Sequence, residues 1–151
     1  MKKLICVLLI GLTSLTTWAA GENLGLGVII GDPTGVSLKY KLASDNAIDG
    51  ALAWSSLGVH LHSNYLWQRD NYFNIDSQTF DLYYGIGLRL ISINSGSNKN
   101  KTSIGPRAPL GANYKLRGTQ LQFFAELALN LNLTPSSDVD FDGGIGMRFH
   151  F

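Results

Sequence analysis

Three long segments of this sequence, residues 79–91, 120–133 and 139–151, alternate apolar and polar residues with a period of two. In the second segment, every other residue from Leu121 to Leu133 is apolar. Side chains of a β-strand point alternately to its two faces, so each segment has one apolar face and one polar face. The alternation predicts long strands, and no part of the chain shows the period of a helix.

The same pattern, followed along the whole chain, predicts eight strands. They lie at residues 23–31, 34–42, 47–55, 59–68, 79–91, 103–116, 120–133 and 138–151. The breaks between them carry turn-forming Gly, Pro, Asp, Asn and Ser, and the breaks at 69–78 and 92–101 are longer than the others. We therefore expect an all-β fold, an eight-stranded antiparallel up-and-down β-barrel that crosses a membrane.

The first residues have the composition of a secretory signal peptide. Two lysines precede a short apolar run that ends in small residues. We expect a signal peptide over residues 1–19, cleaved after Ala19 or after Ala20, and a barrel domain over residues 20–151. The single cysteine, Cys6, lies within this leader, so the mature chain has no thiol for a disulfide or a nucleophile.

Charge and hydropathy narrow the class further. Without the two leader lysines, 10 of the 12 basic residues remain against 11 acidic residues, a balance that gives no reason to expect a nucleic-acid partner. Charged residues make up only 15% of the chain, against about 25% in a typical soluble domain. Beyond the leader no run approaches the roughly 18 apolar residues of a membrane helix. A mature chain that enters a membrane must therefore do so as strands.

The apolar face is too bulky for the interior of an eight-stranded barrel, which has room only for closely packed side chains or one small ligand. This face carries most of the large aromatic residues. They are Tyr40, Trp54, Tyr65, Trp67, Phe80, Tyr84, Tyr114, Phe123, Phe141, Phe149 and Phe151. We expect this face to contact lipid, with an aromatic girdle at the end that holds the chain termini. The alternative is a soluble lipocalin-like carrier with the apolar face turned inward around a small apolar ligand.

The polar face carries charges of both signs, and we expect them to fill the lumen as ion pairs, because an unpaired charge out of water is costly. This lumen ion-pair layer comprises Asp49, Asp81, Arg89, Arg107, Glu126, Asp140, Asp142 and Arg148. Glu126 is expected to pair with Arg107, since their strands are neighbours. Arg89, Arg107, Asp140 and Asp142 are expected in the outer half, and Asp49, Asp81, Lys39 and Arg148 in the half near the termini. The layer predicts a closed plug, not a channel.

The last residues, GMRFHF, resemble the C-terminal assembly signal of bacterial outer-membrane barrels, with Gly146 followed by Phe149 and a final Phe151. The chain departs from that signal at Ile145, where a polar residue is common. Over the mature chain it resembles small eight-stranded barrels of the OmpX and OmpA-membrane-domain type. Segments IGDPTG, LTPS and DGGIG resemble a family of short predicted outer-membrane proteins of unassigned activity.

This resemblance implies a location in the bacterial outer membrane, reached by export through the periplasm. It also implies a monomer whose partners are outer-membrane lipid and, during assembly, the barrel-insertion machinery. From the closed, ion-paired lumen and the short outer loops we expect a structural or surface-interaction role, with no cofactor.

Signals for chemistry are weak. Residues 25–31 outline a dinucleotide fingerprint but lack the strand before and the helix after that the motif needs. His60 and His62 point to one face, yet the spacing supplies no third metal ligand, so we interpret them as a polar layer. A barrel-wall lipid-modifying enzyme needs Ser, His and a carboxylate together, and His62 and Ser63 point to opposite faces. No other serine is placed by alternation beside a histidine. We expect no metal and no catalytic residue.

Overall fold

The computed structural model describes residues 23–55, 58–75, 78–93, 101–134 and 137–151. These residues form one closed barrel of eight antiparallel strands in chain order, as predicted. The strands are β1 (Leu24–Asp32), β2 (Thr34–Lys41), β3 (Asn46–Trp54), β4 (Gly58–Ile75), β5 (Gln78–Ile93), β6 (Lys101–Lys115), β7 (Leu121–Asn132) and β8 (Asp138–His150). No helix of the described residues is long and apolar enough to cross a membrane. The predicted leader, residues 1–19, lies outside the described residues.

The strand register closes the barrel with a stagger of ten residues. Starting at Phe80 on β5 and following paired residues from strand to strand, the path returns to β5 at Leu90. For strands about 4.8 Å apart that rise about 3.3 Å per residue, this stagger corresponds to a tilt of about 40° and a backbone radius of about 8 Å. A lumen this narrow has room for side chains and little else.

Apolar side chains face outward and polar side chains face the lumen. On β7 the buried positions alternate with exposed ones, so that Glu126 is 5% exposed while its neighbour Leu127 is 66% exposed. The most exposed aromatic residue, Phe141, is 75% exposed, and Arg107 is 2% exposed. The lipocalin-like alternative required the apolar face inside the barrel, and the structure places it outside.

Aromatic rings gather at the end of the barrel that holds both termini. Phe80 and Tyr114 have ring centroids 5.2 Å apart, as have Phe149 and Phe151. The backbone N–H of Phe151 donates to the carbonyl oxygen of Leu24 at 2.8 Å, which joins the end of the chain to the start of β1. This end therefore has the aromatic rim expected of a membrane interface.

The β4–β5 hairpin is longer than the sequence predicted. Residues 69–78 were expected to form a loop, but strand pairing resumes at Phe73, which lies opposite Phe80. A bulge before Phe73 contains Asn71 in the left-handed conformation, with φ of 57°, and its backbone N–H donates to Asp81 at 2.9 Å. The first residues of this predicted break instead form a bulge within a strand that continues to Ile75.

Replacing Leu127 by arginine tests which face meets the bilayer. Leu127→Arg places a charge in the middle of the outward face and is expected to lower the free energy of unfolding in lipid vesicles by about 2–4 kcal/mol. Leu133→Arg, just beyond the end of the same strand, is the matched control and should cost about 0–1 kcal/mol. Urea titration of the vesicle-inserted barrel measures both, and equal effects at the two positions would contradict the assignment.

Candidate functional site

The middle of the lumen holds a buried ion pair between Arg107 on β6 and Glu126 on β7. Arg107 donates to Oε1 of Glu126 at 2.9 Å, and the two side chains are 1% and 3% exposed. The hydroxyl of Tyr83 donates to the other carboxylate oxygen at 2.8 Å. Gly111 leaves room for this ring, since a Cβ there would lie 2.3 Å from Tyr83 Cζ. Glu126 thus forms an ion pair with Arg107, the cation that strand order predicted.

Towards the outer end, Arg89 on β5 is held by two carboxylates of β8. Its guanidinium donates to Asp140 at 2.7 Å and to Asp142 at 2.8 Å, and also to Oδ1 of Asn132 at 2.8 Å. Asp142 in turn lies 3.5 Å from Nε of Arg107. Charges of alternating sign therefore form one continuous network from the outer mouth to the middle of the barrel.

A separate ion pair fills the half of the lumen near the termini. Arg148 on β8 donates to Asp49 on β3 at 3.0 Å and to the hydroxyl oxygen of Ser37 at 2.8 Å. Asn64 donates to the second oxygen of Asp49 at 2.8 Å. The Arg148 guanidinium also lies 3.9 Å from the centroid of the Phe124 ring, a cation–π contact that helps to hold a charge out of water.

Two further charged groups of this half differ in their surroundings. The ammonium of Lys39 is buried, with no hydrogen-bond partner among the described residues, and lies 5.5 Å from the centroid of the Tyr83 ring. Asp81, which the sequence placed in the ion-pair layer, forms no ion pair within the described chain and accepts the backbone N–H of Asn71 instead. The structure thus brings the other seven members of the layer into ion pairs and leaves Asp81 apart from them.

The structure also makes a contact between a serine and a histidine that the sequence analysis missed. Oγ of Ser55 lies 2.7 Å from Nε2 of His60, because the chain turns back at once after β3 and the backbone N–H of Ser55 donates to Gly58 at 2.9 Å. Nδ1 of His60 is buried without a hydrogen-bond partner among the described residues, so no carboxylate orients the ring as in a catalytic triad. Alternation over the predicted strand 47–55 places Ser55 on the same inward face as Asp49, so the sequence did contain a signal for this contact.

His60 and His62 both point into the lumen and are buried. Within the parts of the chain that the structure describes, no three His, Cys, Asp or Glu side chains lie where they could hold a metal ion. The two histidines therefore belong to the polar filling of the barrel.

The residues of the expected assembly signal lie at the rim of the barrel. Phe149 is 45% exposed and points outward, with its ring against Phe151. Gly146 faces inward, where a Cβ would lie 2.4 Å from the Phe124 ring. The two aromatic residues are therefore open on the outer surface, while the glycine is required by the packing of the lumen.

Removal of either partner of the central ion pair is expected to destabilise the barrel. Glu126→Ala leaves Arg107 buried without its carboxylate, so the free energy of unfolding should fall by about 3–5 kcal/mol. Asp138→Ala, which removes an exposed carboxylate on β8, is the matched control and should change it by less than about 0.5 kcal/mol. Urea unfolding in detergent measures both, and adding Arg107→Ala to Glu126→Ala should cost less than the sum of the two single changes.

Similarity to known proteins lies in the fold. No protein-family model and no curated protein matches the chain. Among solved structures, the chain is similar to the crystal structure of the N-terminal β-barrel domain of Pseudomonas aeruginosa OprF, with a TM-score of 0.56. The identity is 15%, and the alignment covers 85% of this chain and 95% of that domain. The chain therefore shares the eight-stranded β-barrel fold of that domain.

Proposed function

We propose that this chain is an integral protein of the bacterial outer membrane with a lumen closed by ion pairs and a structural or surface-interaction role. The observation that carries the proposal is the distribution of its side chains. Large apolar residues lie on the outer wall, while buried, paired charges fill the inside. This distribution is the reverse of that in a soluble protein. It suits a barrel whose outer wall meets an apolar solvent.

The backbone supports the same location. A strand that meets hydrocarbon must pair both of its edges, because unpaired N–H and C=O groups cannot be solvated there. Pairing of β1 with β8 leaves no open edge among the eight strands. An even number of antiparallel strands with an aromatic rim is typical of bacterial outer-membrane barrels. The expected signal peptide would supply export to the periplasm.

The lumen supports a closed barrel better than a diffusion channel. Arg89, Arg107 and Arg148 stand at successive levels of a lumen with a backbone radius of about 8 Å, and each is in contact with at least one carboxylate. Opening a path past Arg107 would separate it from Glu126, a change of several kcal/mol for a buried pair. We propose no enzymatic activity, because among the described residues no inward nucleophilic side chain lies beside a base that a carboxylate orients.

Electrical recording tests the closed lumen. The purified barrel, inserted into planar bilayers, is expected to show no steady conductance, because buried ion pairs block the lumen at three levels. Insertion is verified separately by heat-modifiable migration in gels of vesicle-bound protein, and a wide outer-membrane porin serves as the conducting control. Large, stable single-channel openings from the parent protein would show that it is a transport protein.

Deletion of Phe151 tests the proposed role of the insertion machinery. The deletion should lower the amount of barrel assembled in the outer membrane of cells much more than it lowers the stability of the barrel after refolding in detergent. The reason is that Phe151 is expected to be recognised by the insertion machinery. Phe141→Ala, which removes a lipid-facing ring from the opposite end of the same strand, is the matched control for lost lipid contact. Equal amounts of assembled barrel for the deletion variant and the parent would show that Phe151 is not part of an assembly signal.

A further inference from the structure

The outer wall of β6, β7 and β8 contains an apolar groove of about 460 Å³. Its floor is formed by Ala112 and Ala125, small outward residues that are paired across β6 and β7. Its walls are larger outward residues of the neighbouring positions. They include Phe80, Tyr114, Phe123, Ile145 and Met147. A second depression shares Ala112 and Ala125 and continues the groove past Gly143 towards the outer end.

A basic turn adjoins the groove at the end of the barrel that holds the termini. The β6–β7 turn forms a polar cavity lined by Lys115, Leu116, Arg117, Gly118, Thr119, Gln120 and Phe149. None of these residues is acidic. Met147 lines the groove and Phe149, the next outward residue of β8, lines the turn cavity, so the two depressions are neighbours on the same wall. Arg117 is exposed and has no ion pair within the described residues.

We infer that the groove and the basic turn together bind one anionic glycerophospholipid. One acyl chain lies in the groove, and the phosphate lies against Arg117. This inference rests on the proposed membrane location, because only there does the groove face lipid. An empty groove would forfeit dispersion contacts along its lining, so a chain of the surrounding lipid fills it.

The residues at the end of the groove indicate the charge of the lipid headgroup. A chain that lies along Ala112 and Ala125 and passes the rings of Tyr114 and Phe123 reaches the rim beside the β6–β7 turn. Basic residues at a membrane surface attract anionic lipids, and this turn offers the cationic group of Arg117 and the hydroxyl group of Thr119. An elongated molecule with an apolar chain and an anionic head matches both parts of the site.

A second copy of this chain fits the same surface poorly. A symmetric dimer places the same patch of both copies in contact. Two copies standing side by side in one membrane would thus bring their two Arg117 turns together at the same depth, and like charges so placed oppose association. A lipid with a negative head complements the turn instead of repeating its charge.

Native mass spectrometry tests the lipid site. The purified full barrel is released from detergent micelles that contain equal amounts of phosphatidylglycerol and phosphatidylcholine. The parent is expected to retain about five times more phosphatidylglycerol, a preference that one basic group at a membrane surface can supply. Arg117→Ala should abolish the preference. Ala112→Leu with Ala125→Leu fills the groove and should reduce retention of both lipids.

Two control variants separate the site from general effects. Arg69→Ala removes an exposed cation on β4, which lines neither cavity, and Ala108→Leu enlarges an outward residue of β6 outside the groove. Both should retain lipid as the parent does. Equal retention of the two lipids by the parent, an equal loss in Arg69→Ala and Arg117→Ala, or lipid-free dimers would overturn the inference.

Insertion into vesicles is measured in parallel for every variant. An inserted barrel without a preference for phosphatidylglycerol contradicts the lipid site alone. A parent that does not insert contradicts the proposed membrane location and the lipid site together.

Discussion

The narrowness of the lumen is the constraint on which the rest of this structure depends. Eight strands closed with a ten-residue stagger fix the radius of the backbone cylinder within narrow limits. Large rings cannot enter in number, so most of them lie outside and small or long flexible polar residues lie inside. Tyr83 is a large ring that does enter, and it does so opposite Gly111, where a Cβ would collide with it. The size of a side chain thus limits which face of the barrel it can occupy, whatever its polarity.

The same narrowness explains the ion-pair network. Charges that enter so small a space lose most of their water, so a partner or a polar contact lowers the cost of burying them. Lys39, whose buried ammonium has no hydrogen-bond partner among the described residues, is an exception. Asp142 touches both Arg89 and Arg107, so one carboxylate links two cations on neighbouring strands. Buried ion pairs add little net stability compared with apolar packing, but a wrong partner leaves charges exposed to hydrocarbon-like surroundings. We infer that these pairs favour the observed strand register, because a shift of one residue between two strands would separate the paired charges.

Much of this fold could be predicted because a strand has a period of two and a barrel has only two faces. Alternation on β7 was sufficient to place Glu126 inside and Leu127 outside, and strand order was sufficient to bring Glu126 to Arg107. Prediction failed near the ends of strands. Alternation placed Ser55 on the inward face, but its contact with His60 was missed, and Asn71 continues β4 through a left-handed bulge where the sequence predicted a loop. Asp81 was predicted to join the ion pairs, but its carboxylate accepts a hydrogen bond from a backbone N–H of that bulge instead.

The contact between the start and the end of the barrel has a consequence for how it folds. β1 pairs with β8, from Gly25 with His150 to Asp32 with Gly143, and the N–H of Phe151 reaches Leu24. These partners lie at opposite ends of the chain, so the entropy of closing the largest possible loop opposes their meeting. Contacts of such long sequence separation are typical of slow folding. Until they form, two hydrogen-bonding edges stay open to other chains. Pairing of β8, the last of the eight strands in chain order, with β1 therefore ends the interval in which these open edges can aggregate.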